Sequence, residues 1–179
     1  DVRDNIALLT LNNPDKRNML TVEVCALITD YVRQAEAHHD VKALIVTGAG
    51  EAFCAGGQLQ DLTPNKAVIE AIYSGFLSIA NCTLPTIAAV NGPAVGAGFN
   101  MAVGCDVRIV TENARFEPRF FGLGLHPGGG NTWMLRQLTG WNTAAGMLLF
   151  SQSLSGPEAV AKGLAWKCVD ADDLVASAV

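Results

Sequence analysis

Two short segments carry the residues best suited to chemistry, Phe53-Cys54-Ala55-Gly56-Gly57-Gln58-Leu59 and Asn91-Gly92-Pro93-Ala94-Val95-Gly96-Ala97-Gly98-Phe99-Asn100. Each follows an apolar run that reads as a buried strand, Ala43-Leu44-Ile45-Val46-Thr47 before the first and Thr86-Ile87-Ala88-Ala89-Val90 before the second. Each then leads into a helical pattern. A strand that empties into small residues ahead of a helix leaves backbone N–H groups pointing outward, unpaired and uncovered by side chains. Two such places can converge on one carbonyl oxygen and stabilise the negative charge that grows on it. The rival glycine patterns fail. Gly96-x-Gly98 has Met101 where a dinucleotide-binding turn needs its third glycine, no phosphate-loop lysine follows a glycine run, and there is no G-x-S-x-G elbow.

The elements that must hold these segments follow from periodicity. Val24, Leu27, Ile28, Tyr31, Val32 and Ala35 share one helical stripe, which predicts a helix from Thr21 to about Ala37. Ala43–Thr47 is short and continuously apolar, as in a strand covered on both faces. The polar stretch from Asp61 to Asn65, with Pro64, reads as a loop. Helical spacing returns from Ala67 to Ala80 through Val68, Ile72, Phe76 and Ile79. Val107–Val110 reads as a strand, and Trp133–Leu138 and Ala144–Phe150 as helices. Ser155-Gly156-Pro157-Glu158 has the form of a capped helix start. Strand and helix alternate, so the fold class is α/β with strands covered by helices. The strand-then-helix unit recurs at Ala43–Gly57 and Thr86–Gly98. Periodicity alone accommodates either a repeating spiral or a doubly wound sheet.

Composition narrows the function. The chain has 179 residues, half of them hydrophobic and 16% charged, enough for one domain with a sizeable core. No apolar run is long enough to cross a bilayer, and no basic segment followed by an apolar stretch reads as a secretory signal. A net charge of −5 argues against a general binder of nucleic-acid backbone. Cys25, Cys54, Cys82, Cys105 and Cys168 lie scattered without metal or redox spacing, which fits buried, reduced thiols in a cytoplasmic protein. His38 and His39 are adjacent and no cysteine lies at ligand spacing from them, so no metal site is expected.

Taken in order, several segments resemble the crotonase superfamily, the enoyl-CoA hydratase and isomerase group. Ile6-Ala7-Leu8-Leu9-Thr10-Leu11-Asn12-Asn13-Pro14-Asp15-Lys16-Arg17-Asn18-Met19-Leu20 is similar to that family's first strand and the turn after it. The match continues through Leu44-Ile45-Val46-Thr47-Gly48, both glycine segments, Cys105-Asp106-Val107-Arg108-Ile109, Pro127-Gly128-Gly129-Gly130 and Gly163-Leu164-Ala165. The resemblance implies a crotonase-like fold of repeated ββα turns stacked as a right-handed spiral. It implies a single acyl-CoA-binding domain over residues 1–179, with the family's C-terminal helical segment largely missing. The expectation is that the sequence represents the ordered part of the protein. Homotrimers, or hexamers built from them, are expected as well.

The resemblance also assigns roles. Gly57 and Ala97 match the two oxyanion-hole N–H donors, each contributing ~2.7–4 kcal/mol to such a transition state. Lys16, Arg17, Ala55 and Gly57 match positions near coenzyme A, with the two cations suited to its phosphates. The ligand is then a coenzyme A thioester in fatty-acid or related acyl-CoA metabolism, with no permanently bound cofactor and no nucleic acid partner. Asp106 belongs to a structural Cys-Asp turn. The departure lies at the family's two catalytic glutamates, whose positions are occupied by Asn100 and Phe120. An amide does not exchange protons near neutrality and a phenyl ring has none to exchange. Glu117, Arg119 and His126 are the nearby groups that could substitute, although each reads equally as a surface carboxylate, a solvated arginine and a loop histidine. Imidazole is the one of the three suited to both acid and base work near neutral pH. The expected class is an enoyl-CoA hydratase-type protein in which ordinary hydration is compromised, with a carrier or sensor of acyl-CoA as the alternative.

Overall fold

The computed structural model describes residues 2–57 and 66–179; the loop expected at Asp61–Asn65 and the end of the first glycine segment lie outside them. The main sheet has six strands. A short β1 (Val2–Arg3) pairs antiparallel with β2 (Ile6–Leu11). Next come β3 (Ala43–Gly48), β4 (Thr86–Val90), β6 (Val107–Thr111) and β9 (Lys167–Val169), all parallel to β2. Parallel strands covered on both faces need near-continuous apolar runs, and in β3 only the end residues are half-buried.

A second, smaller layer repeats alongside the first. It holds β5 (Pro93–Val95), β7 (Arg115–Glu117) and β8 (Leu154–Ser155), in that order. Single bridges extend it: Cys54 pairs with Ala94, and Leu20 pairs with Gly57. Each turn of the chain therefore makes a strand of the large sheet, a short pairing in the second layer, and a helix. This is the repeated ββα pattern, and it decides against a doubly wound sheet. The strands of the second layer have three residues or fewer, too short for an alternation to stand out.

The helices are α1 (Val22–Ala37), α2 (Lys66–Ala80), α3 (Ala97–Gly104), α4 (Asn131–Phe150) and α5 (Gly156–Ala161). Thr21 caps α1 by accepting from Val24 N. Ser155 and Glu158 form the expected reciprocal capping box of α5. The two helices expected from Trp133 onward form one element broken at Gly140, whose φ of 76° and ψ of 175° lie outside helical space. Phe53, Phe76, Phe99 and Phe116 are fully buried between the layers, and each such side chain contributes ~1.5–3 kcal/mol relative to exposure. Ile45, Ala89 and Ile109 form a smaller cluster capped by Leu174 and Ala178.

All five cysteines are free thiols, with Cys25, Cys54 and Cys105 buried. Asp106 does structural work: its Oδ2 accepts from both the N–H and the hydroxyl of Thr86 at 2.8 Å, joining the starts of β4 and β6. Among the described residues no helix is long and apolar enough to cross a membrane.

Candidate functional site

The first glycine segment runs across the end of the large sheet, with its backbone used residue by residue. Phe53 N and Cys54 N donate to Pro93 O, Ala55 N donates to Arg17 O, and Gly56 O accepts from Leu20 N. Among the described residues the Gly57 N–H has no acceptor. The second segment is built likewise. Val95 N donates to Cys54 O and Gly96 N to Glu117 O, both at 2.9 Å. Ala97 then opens α3, where a first-turn N–H has no intrahelical partner; among the described residues it has none elsewhere.

Glycine is required where the segments touch. Gly56 has a φ of +87°, and a Cβ there would lie 2.5 Å from Val95 O and 3.4 Å from Ala97 N. A Cβ on Gly98 would collide with Cys54 O and lie 2.6 Å from Cys54 Cβ. The two segments are thus packed backbone against backbone, and Gly57 and Ala97 both line one cavity of about 340 Å³.

Asn100, Phe120 and His126 line that same cavity. Asn100, one turn into α3, is 2% exposed. Its Nδ2 donates to Gly128 O at 3.1 Å, and its Oδ1 accepts from Asn131 Nδ2 at 2.6 Å. The amide holds the loop before α4 onto α3. Phe120 is half-buried and lines the cavity, where Ile69, Ile72, Leu123 and Leu125 complete an apolar wall. His126 is exposed at the rim.

Glu117 is not brought to this cavity. It ends β7 and lines an adjoining groove of about 660 Å³, and its Oε2 lies 2.6 Å from Arg119 Nε. Arg119 has a φ of +51° and lines both spaces, as do Ala55 and Val95. Arg17 lines the groove from the turn after β2, while Lys16 is exposed on that turn outside the lining. The cavity is therefore largely apolar, with Arg119 as its charged lining residue among the described residues. The groove beside it carries Arg17 and Arg119 together with Asp15, Glu51 and Glu117.

Three positions escaped the sequence reading. Asn18, 2% exposed, donates from Nδ2 to Ala49 O and Ala52 O at 2.9 and 2.8 Å and so fixes the strand-to-glycine turn. Its place in the Lys16-Arg17-Asn18 turn was the available signal. Asn131, fully buried, orients Asn100; nothing in its sequence context marks it. Tyr73 lines the cavity from α2. It follows Ile72 and precedes Phe76 by three residues, so its spacing alone puts it beside the apolar stripe.

Away from this site, exposed His38, His39 and Asp40 bring ligand-type atoms within 4.8 Å of one another. The two imidazoles stack within 6° of parallel at 5.4 Å, and His39 Nε2 is paired to Asp40 Oδ2 at 3.0 Å.

A ββα repeat with facing glycine segments over one apolar cavity is the architecture of the crotonase class. The chain belongs to the enoyl-CoA hydratase/isomerase family, whose pattern it matches over residues 1–179. It is 46% identical over 183 residues to the probable enoyl-CoA hydratase EchA14 of Mycobacterium tuberculosis, covering 99% of this chain and 71% of that protein. It is 34% identical over 186 residues to the 1,2-epoxyphenylacetyl-CoA isomerase of Escherichia coli, again covering 99% and 71%. The solved structure of an enoyl-CoA hydratase from Bacillus anthracis superimposes with a TM-score of 0.92 at 28% identity, covering 97% of this chain and 70% of that one. An enoyl-CoA hydratase from Polaromonas sp. JS666 gives 0.90 at 33% identity, covering 99% and 72%.

Proposed function

We propose that this chain is a single acyl-CoA-binding domain that holds the thioester carbonyl oxygen between the N–H groups of Gly57 and Ala97. The acyl chain would occupy the apolar cavity and the coenzyme A moiety the charged groove, reached past Ala55 and Val95. Arg17 is the groove cation best placed for a phosphate, with Lys16 beside it on the same turn. One observation carries this reading. Two backbone donors from separate segments, both without acceptors among the described residues, belong to residues that line the same largely apolar cavity, and such donors act most strongly on a carbonyl that gains charge in apolar surroundings.

Among the described residues no carboxylate lines the cavity, which speaks against hydration by a carboxylate pair. Asn100 is tied to Gly128 and Asn131, Phe120 offers no exchangeable proton, and Glu117 is paired to Arg119 in the groove. General acid and base groups contribute roughly 10²–10⁴-fold each, so hydration should be slower than in two-glutamate relatives by several orders of magnitude. The engaged Asn100 amide also favours a second reading, in which the chain binds acyl-CoA in fatty-acid or related metabolism without turning it over, as a carrier or sensor.

Calorimetric titration with a non-hydrolysable acyl-CoA analogue, paired with a crotonyl-CoA hydration assay on the same preparation, tests both readings. Saturable binding with negligible hydration is the expected result; absence of binding would overturn the site. We further propose a homotrimer, alone or paired into hexamers, in the cytoplasm. Trp141 and Phe150 on α4 are 69% and 81% exposed, an unusual amount of aromatic surface for a monomer. Light scattering of the full-length protein checks this, and a stable monomer would refute it.

A further inference from the structure

We infer that Tyr73 and His126 form a proton-transfer pair that moves a proton between two carbons of an unsaturated acyl-CoA. This rests on the thioester site proposed above. The observation behind it is how the loop before α4 is assembled. A side chain at Gly128 would overlap the Tyr73 hydroxyl, so glycine there leaves the space that the phenol fills. The carbonyl of the same Gly128 accepts from Asn100 Nδ2, and His126 lies two residues earlier on the same loop. The phenol thus packs on the loop that carries His126, and both residues line the cavity that Gly57 and Ala97 also line.

Among the described residues the remaining lining side chains do not exchange a proton. The Asn100 amide holds both its partners, Phe120 is a hydrocarbon, and Arg119 does not give up its proton. Tyr73 is half-buried, its ring packed at 5.3 Å against Phe76, and among the described residues its hydroxyl has no hydrogen-bond partner. The hydroxyl of a cavity-lining tyrosine without a protein acceptor among the described residues is available to a ligand.

The apolar wall selects the reaction. Adding water to an enoyl chain requires groups that hold a water beside the β-carbon; Phe120 stands at the position of one such family group, and Ile69, Ile72 and Leu123 line the cavity with it. A 1,3-proton shift needs no water. In a 3-enoyl-CoA, the neutral imidazole of His126 takes a proton from the α-carbon. The electron pair delocalises over the chain and thioester, with the charge resting on the oxygen between Gly57 and Ala97. The Tyr73 O–H then delivers its proton to the γ-carbon while the double bond settles between the α- and β-carbons and the carbonyl re-forms. The phenolate recovers a proton from the imidazolium by way of solvent. One proton has moved and one double bond has shifted, with no oxidant, reductant or water consumed.

The test follows a 3-enoyl-CoA in deuterated water by the ultraviolet absorbance of the conjugated product and by mass spectrometry for deuterium at the γ-carbon. Wild type, Tyr73→Phe and His126→Gln are compared, each also titrated with a saturated acyl-CoA thioether. The expected result is conversion with γ-carbon label in wild type and a kcat lowered ~10²–10⁴-fold in each variant, with thioether affinity retained. Wild type that binds the thioether but does not convert the enoyl-CoA overturns the pair and leaves the binding site standing. So does conversion undiminished in both variants. Wild type that fails to bind the thioether overturns the site and the pair together. Because the wild-type conversion decides by itself, a variant that misfolds does not rescue the inference.

Discussion

Replacing Gly98 with alanine separates two opposed effects on the contact that builds the site. Gly98 sits inside α3 with ordinary helical torsions, so propensity alone favours alanine by roughly 1 kcal/mol. Against this, the new Cβ would collide with Cys54 O and stand 2.6 Å from Cys54 Cβ and 2.8 Å from its Sγ. A backbone oxygen cannot rotate away, so α3 and the first glycine segment must part by about an ångström. Overpacking of this kind costs ~1–3 kcal/mol; with rigid backbone on both sides the upper part of that range applies, leaving a net loss of about 2 kcal/mol. For a chain of this size that lowers the melting temperature by ~4–8 °C.

The larger effect should fall on the ligand. Ala97 adjoins Gly98 and Gly57 follows Cys54 closely, so the shift acts directly on the distance between the two donors. Misplacement by about an ångström can cost ~10²-fold where geometry governs a reaction. Thermal melting by circular dichroism and calorimetric titration with an acyl-CoA analogue measure both consequences. Gly122→Ala is the control, since the nearest atom to a Cβ there is Ser151 Oγ at 4.0 Å. A Gly98→Ala protein melting at or above wild type with unchanged affinity would refute the close-contact argument.

Burial raises the Cys54 and Cys105 thiols from 9.0 to about 12 and the Cys25 thiol to about 11. Native protein should therefore react with iodoacetamide first at the half-buried Cys82 and Cys168, as mass mapping would show. The linkage sign follows: above pH 9 the unfolded chain loses these thiol protons while the folded chain keeps them. Their stabilising effect is thus complete below 9 and declines as pH rises toward 11–12, which denaturant midpoints measured across that window will register. Arg108 is buried and donates to Leu164 O at 2.6 Å, Asp106 O at 3.1 Å and Ala102 O at 3.4 Å as well as to Cys105 O. Arg108→Met strands these carbonyls at ~1–3 kcal/mol for each one left dry; urea unfolding should show a loss of several kcal/mol, and a change below ~1 kcal/mol would contradict the assignment.

The large sheet was legible because its strands are covered on both faces. Thr86–Val90 was read with the bounds the structure gives, and Ala43–Thr47 and Val107–Val110 each gained one residue. The second layer was hidden, because Pro93–Val95 and Arg115–Glu117 are defined by pairing with a neighbouring repeat and carry no pattern of their own. At the site, glycines ahead of helices marked Gly57 and Ala97, whose small neighbours have few other uses. Tyr73 stayed hidden because an aromatic beside an apolar helical stripe reads as core; its hydroxyl matters only once Gly128 is packed against it. Glu117 could be located in sequence but not oriented. The Gly96 N–H bond to its carbonyl sets the register of β7, and that register ends the strand with the carboxylate in the groove beside Arg119.

The most direct measurement of the central claim is an experimental structure with an acyl-CoA thioester or a close isostere bound. The expected result is a carbonyl oxygen within about 2.7–3.1 Å of both Gly57 N and Ala97 N, the acyl chain beside Phe120 and the coenzyme A phosphates in the groove with Arg17. A ligand whose carbonyl lies away from both N–H groups would contradict it.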